Sequence, residues 1–215
     1  MDLQQLASIQ DDLNTRTITN WRNRLTLSDF NMAIISEFAE LTDSGRKWKW
    51  WKKAGEINEW NEKIEIIDIF HFVLSKLLIF GGEINGSATG VDSENSFKTP
   101  CLLTVDGSFH NGNMTQCLES MLDDSDHYVL NGMNAIFNSW NMTEKEITLI
   151  YHLKASLNYV RQRTGYTTGE YNKILNGRED NEFLKELFLS MINESPLRFD
   201  EVQDEVDKVF NCDRL

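Results

Sequence analysis

Proline, cysteine and positive charge are all scarce in this chain. Its 215 residues include only two prolines, so little in the sequence interrupts long helices. The three cysteines contain no Cys-x-x-Cys pair, which gives no support to a zinc ribbon or a disulfide framework. Lys and Arg number 21 against 34 Asp and Glu, and the net charge is −13. Nucleic-acid binding requires cations that neutralise phosphates, so we expect no nucleic-acid partner.

Long hydrophobic runs are also missing. The longest apolar stretch, Ile64–Phe80, is interrupted by charged and ionisable residues, namely Glu65, Asp68, His71 and Lys76. The N-terminus lacks the basic start and the apolar core of a signal peptide. Hydrophobic residues nevertheless make up 40% of the chain, which is enough for a packed core. We therefore expect a soluble protein of the cytoplasm, or of the host cytoplasm if the source is viral, with no membrane partner.

Apolar residues recur at helical spacing along most of the chain, which predicts an all-α helical bundle. The predicted helices are one around Leu3–Leu13, one capped by Ser28 and ended by Gly45, one over about Asn58–Phe80, one over about Thr115–Ser139, one from a Thr143–Glu146 capping box to about Arg163, and one or two short helices near the end. Residues 83–114 depart from this pattern, because Gly is mixed there with Ser, Asn, Asp and Thr. Within them, Cys101–Val105 followed by Asp106-Gly107 predicts a small β-hairpin. We expect a single catalytic domain over residues 1–215 with an irregular insertion at about 83–114.

Carboxylates occur beside or within the apolar faces of the second and third predicted helices. Glu37 and Glu40 border one apolar face, and Glu65 and Asp68 interrupt a helix that is otherwise apolar. An ionised carboxylate that faces a core costs several kcal/mol unless it is paired or bound to a cation. Two pairs on neighbouring helices would surround one point with oxygen ligands, the type that Mg²⁺ and Mn²⁺ prefer. The same spacing also fits two ordinary solvent-exposed helix faces.

An aromatic and basic segment lies between these two helices. Residues 46–53 hold three of the six tryptophans together with five positive charges. Indole rings and cations of this kind can contact a nucleobase and phosphates. A helix with its Trp side chains in the core and its Lys side chains in solvent is an equally good interpretation.

Five ordered segments, which together span residues 9–181, carry a family resemblance. The segments are Ile9–Asn14, Glu37–Leu41, Trp48–Lys52, Glu65–Ser75 and Lys154–Asn181. The last of them contains the patterns Arg-Gln-x-x-Gly-Tyr and Gly-x-Glu-Asp-Asn. This combination resembles the dimeric dUTPases of the all-α NTP pyrophosphohydrolase superfamily. The resemblance implies a homodimer that hydrolyses dUTP to dUMP and pyrophosphate and so sanitises the nucleotide pool.

The resemblance also implies a metal site. Its ligands would be Glu37, Glu40, Glu65 and Asp68, and they would hold Mg²⁺ ions, or Mn²⁺ in their place. The metal would hold the triphosphate, and Glu37 or Glu40 would act as the catalytic base that activates the attacking water.

Substrate-binding residues follow from the same resemblance. Gln10 and Asn14, one helical turn apart, would read the edge of uracil through donor and acceptor pairs. Trp48 and His71 would help to enclose the base or the deoxyribose. The candidates for phosphate and sugar contacts are Lys154, Asn158, Arg161, Tyr166, Lys173 and Asn181.

Three other functions compete with this interpretation. A relative that prefers another deoxynucleotide, such as dCTP, would use the same chemistry with different base contacts. A non-enzymatic interaction protein would carry the acidic surface without any nucleotide turnover. A di-iron carboxylate protein is disfavoured, because that site needs Glu-x-x-His on two helices and none of the four histidines lies in such a motif.

Overall fold

The computed structural model describes residues 1–45, 50–51, 58–81, 111–194 and 197–212. Within these ranges the backbone forms nine helices and one two-stranded antiparallel hairpin, so the all-α prediction is confirmed. The elements in chain order are α1 (Leu3–Thr17), α2 (Trp21–Arg24), α3 (Leu27–Gly45), α4 (Glu59–Gly81), α5 (Asn111–Leu122), α6 (Asp126–Ser139), α7 (Glu144–Arg163), β1 (Ile174–Leu175), β2 (Arg178–Glu179), α8 (Asp180–Met191) and α9 (Phe199–Cys212). None of the described helices is long and apolar enough to cross a membrane.

Two helix predictions are wrong, one in where the helix begins and one in the number of helices. The helix predicted to be capped by Ser28 begins at Leu27, and the Asp29 carboxylate accepts hydrogen bonds from the backbone N–H and the hydroxyl of Thr26, both at 2.7 Å. The single helix predicted over Thr115–Ser139 is two helices, α5 and α6. The hairpin predicted at 101–107 and most of the 83–114 insertion lie outside the described residues.

The described chain divides into two compact units. Unit 1 contains Met1, Ile9–Trp21 and Thr143–Leu215, and unit 2 contains Asp2–Ser8 and Arg22–Met142. Helix α7 is the central element of unit 1, where α8 and α9 pack against it. Helix α4 has the same position in unit 2, where α3 and α6 pack against it. Each unit is therefore organised around one long buried helix.

Apolar side chains cover most of the circumference of α4, which explains its central position. Ile66, Ile69 and Phe70 are fully buried, and the Phe70 ring meets the Phe137 ring of α6 edge to face at 5.2 Å. A helix with apolar residues on nearly every side is stable only when other elements surround it. Any acidic residue on α4 is consequently held close to the neighbouring helices.

The break between α5 and α6 depends on a lysine that is distant in sequence. Lys76 of α4 is fully buried, and its Nζ donates to the carbonyl oxygens of Met121 at 3.0 Å and Asp123 at 2.7 Å. These carbonyls lie at the end of α5, where the last carbonyls of a helix have no partner within it. Burial lowers the pKa of Lys76, and the carboxylates of Asp124 and Asp123 offset part of that shift. The lysine therefore caps α5 and stabilises the turn that separates the two helices.

The capping box predicted for the fifth helix is present at the start of α7. The Thr143 side chain accepts from the backbone N–H of Glu146, and the Glu146 carboxylate accepts from the backbone N–H of Thr143. Farther along α7, the buried Tyr159 hydroxyl donates to Asp12 of α1 at 2.6 Å. The beginning and the later part of α7 are thus fixed by hydrogen bonds as well as by apolar packing.

A neutral histidine lies in the packing between α7 and α9. The His152 ring is 2% exposed and meets the Phe199 ring of α9 at 5.4 Å and the Tyr151 ring at 6.5 Å. Neither of its ring nitrogens has a hydrogen-bond partner among the described residues. Burial lowers the pKa of His152 from 6.5 to about 4. The folded chain therefore requires the uncharged imidazole at neutral pH.

We predict that His152 makes unit 1 sensitive to acid. Between pH 6.5 and pH 4 the unfolded chain binds a proton that the folded chain does not, so stability falls as the pH is lowered through this window. The loss should reach about 2–3 kcal/mol between pH 7.5 and pH 4.5. Urea unfolding of His152→Leu should show a correspondingly smaller loss, whereas the exposed His127→Leu should behave like wild type. Equal losses in His152→Leu and wild type would contradict this prediction.

Candidate active site

Three carboxylates from two helices of unit 2 come together. One oxygen from each of Glu37, Glu65 and Asp68 lies within 4.8 Å of the other two. Glu65 and Asp68 are one turn apart on α4, and Glu37 is on the adjacent α3. The buried residues Ile34 and Phe38 turn one side of α3 toward the core, and Glu37 lies half-buried at the margin of that side. The packing of α3 on α4 thus brings the two predicted acidic stretches to one point.

The electrostatics of this group favour a cation. Glu65 is 8% exposed, and Asn61 donates to one of its oxygens at 3.1 Å. Two like charges about 5 Å apart repel by about 3 kcal/mol at an effective dielectric constant near 20. Three carboxylates offer only oxygen atoms, which are the ligands preferred by Mg²⁺ and Mn²⁺. The residues therefore fit a divalent cation, and Glu37, Glu65 and Asp68 would hold it.

The other residues predicted for this part of the site have different positions. Glu40 is exposed on α3, one turn after Glu37, and it is not among the three clustered carboxylates. His71 is buried on α4, one turn after Asp68, and its carbonyl oxygen accepts from the hydroxyl of Ser75. Trp48 lies outside the described residues.

In unit 1, Gln10 and Asn14 of α1 are linked in a chain of hydrogen bonds. The hydroxyl of Tyr151 donates to Gln10 Oε1 at 3.0 Å, and Gln10 Nε2 donates to Asn14 Oδ1 at 2.9 Å. Gln10 is 3% exposed, and Tyr151 is fully buried. Because each amide has one donor end and one acceptor end, the tyrosine hydroxyl fixes the orientation of both side chains. A fixed pattern of donors and acceptors is what recognition of a planar base edge requires.

Two of the predicted cations on α7 are buried and make contacts with the start of α8. Lys154 is 2% exposed and donates to Asn181 Oδ1 at 3.0 Å. Arg161 is 8% exposed and donates through Nε and Nη2 to the carboxylate of Asp180 at 2.9 and 2.8 Å. A third nitrogen, Nη1, reaches Asn158 Oδ1 at 3.3 Å. The structure therefore joins Lys154 to Asn181 and Arg161 to Asn158, and it places the Arg161 guanidinium on the carboxylate of Asp180.

Asp180 was not predicted as a site residue. The available signal was its place in the Gly-x-Glu-Asp-Asn pattern, where Glu179 and Asp180 are adjacent acids and the sequence does not say which one faces inward. In the structure Asp180 is 1% exposed, whereas Glu179 is exposed. Burial would raise the pKa of Asp180, but the hydrogen bonds and charge of Arg161 hold it below its usual value.

Tyr166 and Lys173 lie in the segment between α7 and the hairpin. The Tyr166 ring is 42% exposed, and its centroid is 5.8 Å from the Arg161 guanidinium carbon and 5.7 Å from Lys173 Nζ. Gly165 has a φ of +91°, a conformation that side chains with a Cβ rarely adopt. The turn at Gly165 therefore sets the direction in which the chain leaves α7 and brings the aromatic ring close to two cations.

Comparison with known proteins gives one positive and one negative finding. The model of a protein family described as dUTPase matches residues 2–166, which is 165 of the 215 residues. The matched region includes all three clustered carboxylates and ends at Tyr166, so Lys173, Asp180 and Asn181 lie beyond it. No curated protein matches the chain.

We predict that the clustered carboxylates bind Mn²⁺ and that losing one weakens binding at least tenfold. In Glu37→Gln and Asp68→Asn one charged ligand is lost, and titration calorimetry with Mn²⁺ measures the change. Without metal both variants should be at least as stable as wild type, because repulsion between like charges is relieved. Glu59→Gln, in the exposed first turn of α4, is the matched control and should bind Mn²⁺ normally. Wild-type Mn²⁺ affinity in both Glu37→Gln and Asp68→Asn would refute the metal site.

Proposed function

The chain belongs to the all-α dUTPase family, and we propose from this premise that it hydrolyses dUTP to dUMP and pyrophosphate with Mg²⁺. Membership makes it a nucleotide pyrophosphohydrolase. In the proposed reaction a water oxygen forms a bond to the α-phosphorus, the bond from that phosphorus to the bridging oxygen of the β-phosphate breaks, and pyrophosphate leaves. The observation that carries the proposal is the group formed by Glu37, Glu65 and Asp68.

Each carboxylate has a role in this proposal. Glu37, Glu65 and Asp68 hold the divalent cation, and the exposed Glu40 is a further ligand from the next turn of α3. When bound, Mg²⁺, or Mn²⁺ in its place, neutralises the charge of the phosphates. Glu37 or Glu40 accepts the proton of the attacking water on a carboxylate oxygen.

The charge balance of the chain supports a requirement for metal. A triphosphate carries about four negative charges, and it meets a protein with a net charge of −13. Lys154 and Arg161, two of the proposed phosphate-binding cations, already donate to Asn181 and Asp180. These side chains cannot offset the repulsion between the phosphates and three clustered carboxylates. A divalent cation would reverse the sign of the local electric field and so remove this repulsion.

The substrate contacts are also part of the proposal. Gln10 and Asn14 read the edge of the base, supported by the fixed orientation of their amides. Trp48 and His71 enclose the base or the deoxyribose. The proposed contacts to phosphates and sugar are made by Lys154, Asn158, Arg161, Tyr166, Lys173 and Asn181.

We further propose that residues 1–215 act as a single catalytic domain, that two copies form a homodimer, and that the enzyme sanitises the nucleotide pool of the cytoplasm. Met32 and Ile35, one turn apart on α3 and 62% and 38% exposed, support the dimer as large apolar side chains that a second copy would cover. The proposal includes no nucleic-acid or membrane partner.

We predict that turnover requires the metal group and is greatest with dUTP. Pyrophosphate release is measured with Mg²⁺ and each of dUTP, dCTP, dTTP, dATP and dGTP. Asp68→Asn should lose at least 100-fold in rate, whereas Glu59→Gln should keep the wild-type rate. A preference for dCTP would make dCTP the proposed substrate in place of dUTP, since amide side chains also fit a cytosine edge. The absence of turnover with every nucleotide would refute it and would favour an interaction protein.

We also predict that nucleotide binding depends on the cation. A non-hydrolysable dUTP analogue should bind at least tenfold more weakly when Mg²⁺ is removed with a chelator, because the carboxylates then repel the phosphates directly. Residues 165–181 should be most resistant to limited proteolysis when metal and analogue are both present. Calorimetry and proteolysis with and without chelator measure the two effects. Equal affinity in chelator would mean that the carboxylates do not face the phosphates.

A further inference from the structure

One buried carboxylate joins the two ends of the segment between α7 and α8. Asp180, the first residue of α8, accepts two hydrogen bonds from Arg161 near the end of α7. It also accepts from the hydroxyl of Tyr171 at 2.9 Å, which ties the middle of the segment to the same carboxylate. The backbone N–H of Asp180 donates to the carbonyl oxygen of Lys173 at 2.9 Å. We refer to residues 164–179 as the α7–α8 segment.

The carboxylate of Asp180 is buried and hydrogen-bonded within the protein. Its two oxygens receive three donors, and the residue is 1% exposed, so it cannot touch a substrate itself. Arg161 is held in place as well, because its Nε and Nη2 donate to Asp180 and its Nη1 reaches Asn158. A planar guanidinium held by two parallel hydrogen bonds has a fixed direction as well as a fixed position.

Three proposed substrate contacts depend on this arrangement for their positions. Tyr166 follows Arg161 by five residues, and its backbone N–H donates to the Arg161 carbonyl oxygen at 2.9 Å. Lys173 is held through its own carbonyl by the Asp180 N–H. Asn181 is the neighbour of Asp180 and accepts from Lys154 of α7 at 3.0 Å. All three lie one bond or one hydrogen bond from the buried ion pair.

We propose that Asp180 is a positioning residue, which uses its contacts with Arg161 and Tyr171 to hold the α7–α8 segment in the conformation that binds the nucleotide. The inference rests on the proposed function and adds a residue to it. Arg161, itself a proposed substrate contact, takes part in that support. The segment is thereby organised before the substrate arrives, which reduces the entropy lost on binding.

The test compares three variants by binding of a non-hydrolysable dUTP analogue with Mn²⁺ present. Asp180→Asn removes the charge and leaves one acceptor, and Tyr171→Phe removes only the hydroxyl donor. Asp207→Asn is the matched control, because it breaks the ion pair between Arg163 of α7 and Asp207 of α9 without touching the segment. Urea unfolding measures the stability of each variant. Mn²⁺ affinity shows whether the carboxylates of unit 2 still bind metal, and hydrogen exchange shows whether the backbone N–H groups of Tyr166 and Glu170 stay protected.

We expect Asp180→Asn to bind the analogue at least tenfold more weakly and Tyr171→Phe about threefold more weakly, with faster hydrogen exchange in the segment. Mn²⁺ affinity should stay within twofold of wild type in both. Asp207→Asn should lose stability and keep its analogue affinity. In steady-state kinetics the losses should fall more on KM than on kcat, since the carboxylates that carry the chemistry are unchanged.

Two results would overturn the proposal. Asp180→Asn could fold and bind the analogue within twofold of wild type, which would make the ion pair merely structural. If Asp180→Asn does not fold, Tyr171→Phe decides, and wild-type affinity and exchange in that variant would refute the proposal. Failure of the proposed function is a separate observation, because the wild-type chain would then bind none of the nucleotides.

Discussion

Repulsion between three carboxylates is the interaction on which the proposed chemistry depends. Glu37, Glu65 and Asp68 stay together because α3 and α4 are locked by their apolar sides, not because the charges attract. Fully buried residues such as Ile66 and Phe70 leave α4 no freedom to rotate its acids away from α3. Their mutual repulsion is an unfavourable interaction that a bound divalent cation would relieve. Functional sites often contain such interactions, which lower the free energy of unfolding but favour binding.

Three of the described cations of this acidic chain are buried inside it. Lys76 caps a helix through two carbonyl oxygens, Lys154 binds Asn181, and Arg161 forms a bidentate pair with Asp180. Each of these cations is less than 9% exposed. Buried cations of this kind contribute order and direction rather than a diffuse positive surface. In the proposed function the divalent cation supplies the attraction that a chain with a net charge of −13 needs in order to bind a triphosphate.

Local signals predicted the fold well, and remote contacts account for the errors. The capping box at Thr143 was predicted correctly because its partner is only three residues away. The continuous helix over Thr115–Ser139 was wrong because apolar periodicity runs through the break between α5 and α6. That break is stabilised by Lys76, whose hydrogen bonds cross 45 and 47 residues of sequence. No pattern within the segment itself contains this information.

The sequence by itself determined the helical class, the family segments and the pairing of Glu65 with Asp68, since residues three apart on one helix share a face. Only the tertiary structure decided that Glu37 joins them while Glu40 stays exposed. It also decided that Asp180 is the acid that turns inward to Arg161. The physical reason is the same in both cases. Spacing fixes the angle between residues on one helix, but the rotation of that helix toward its neighbour is set by the packing of side chains from distant parts of the chain.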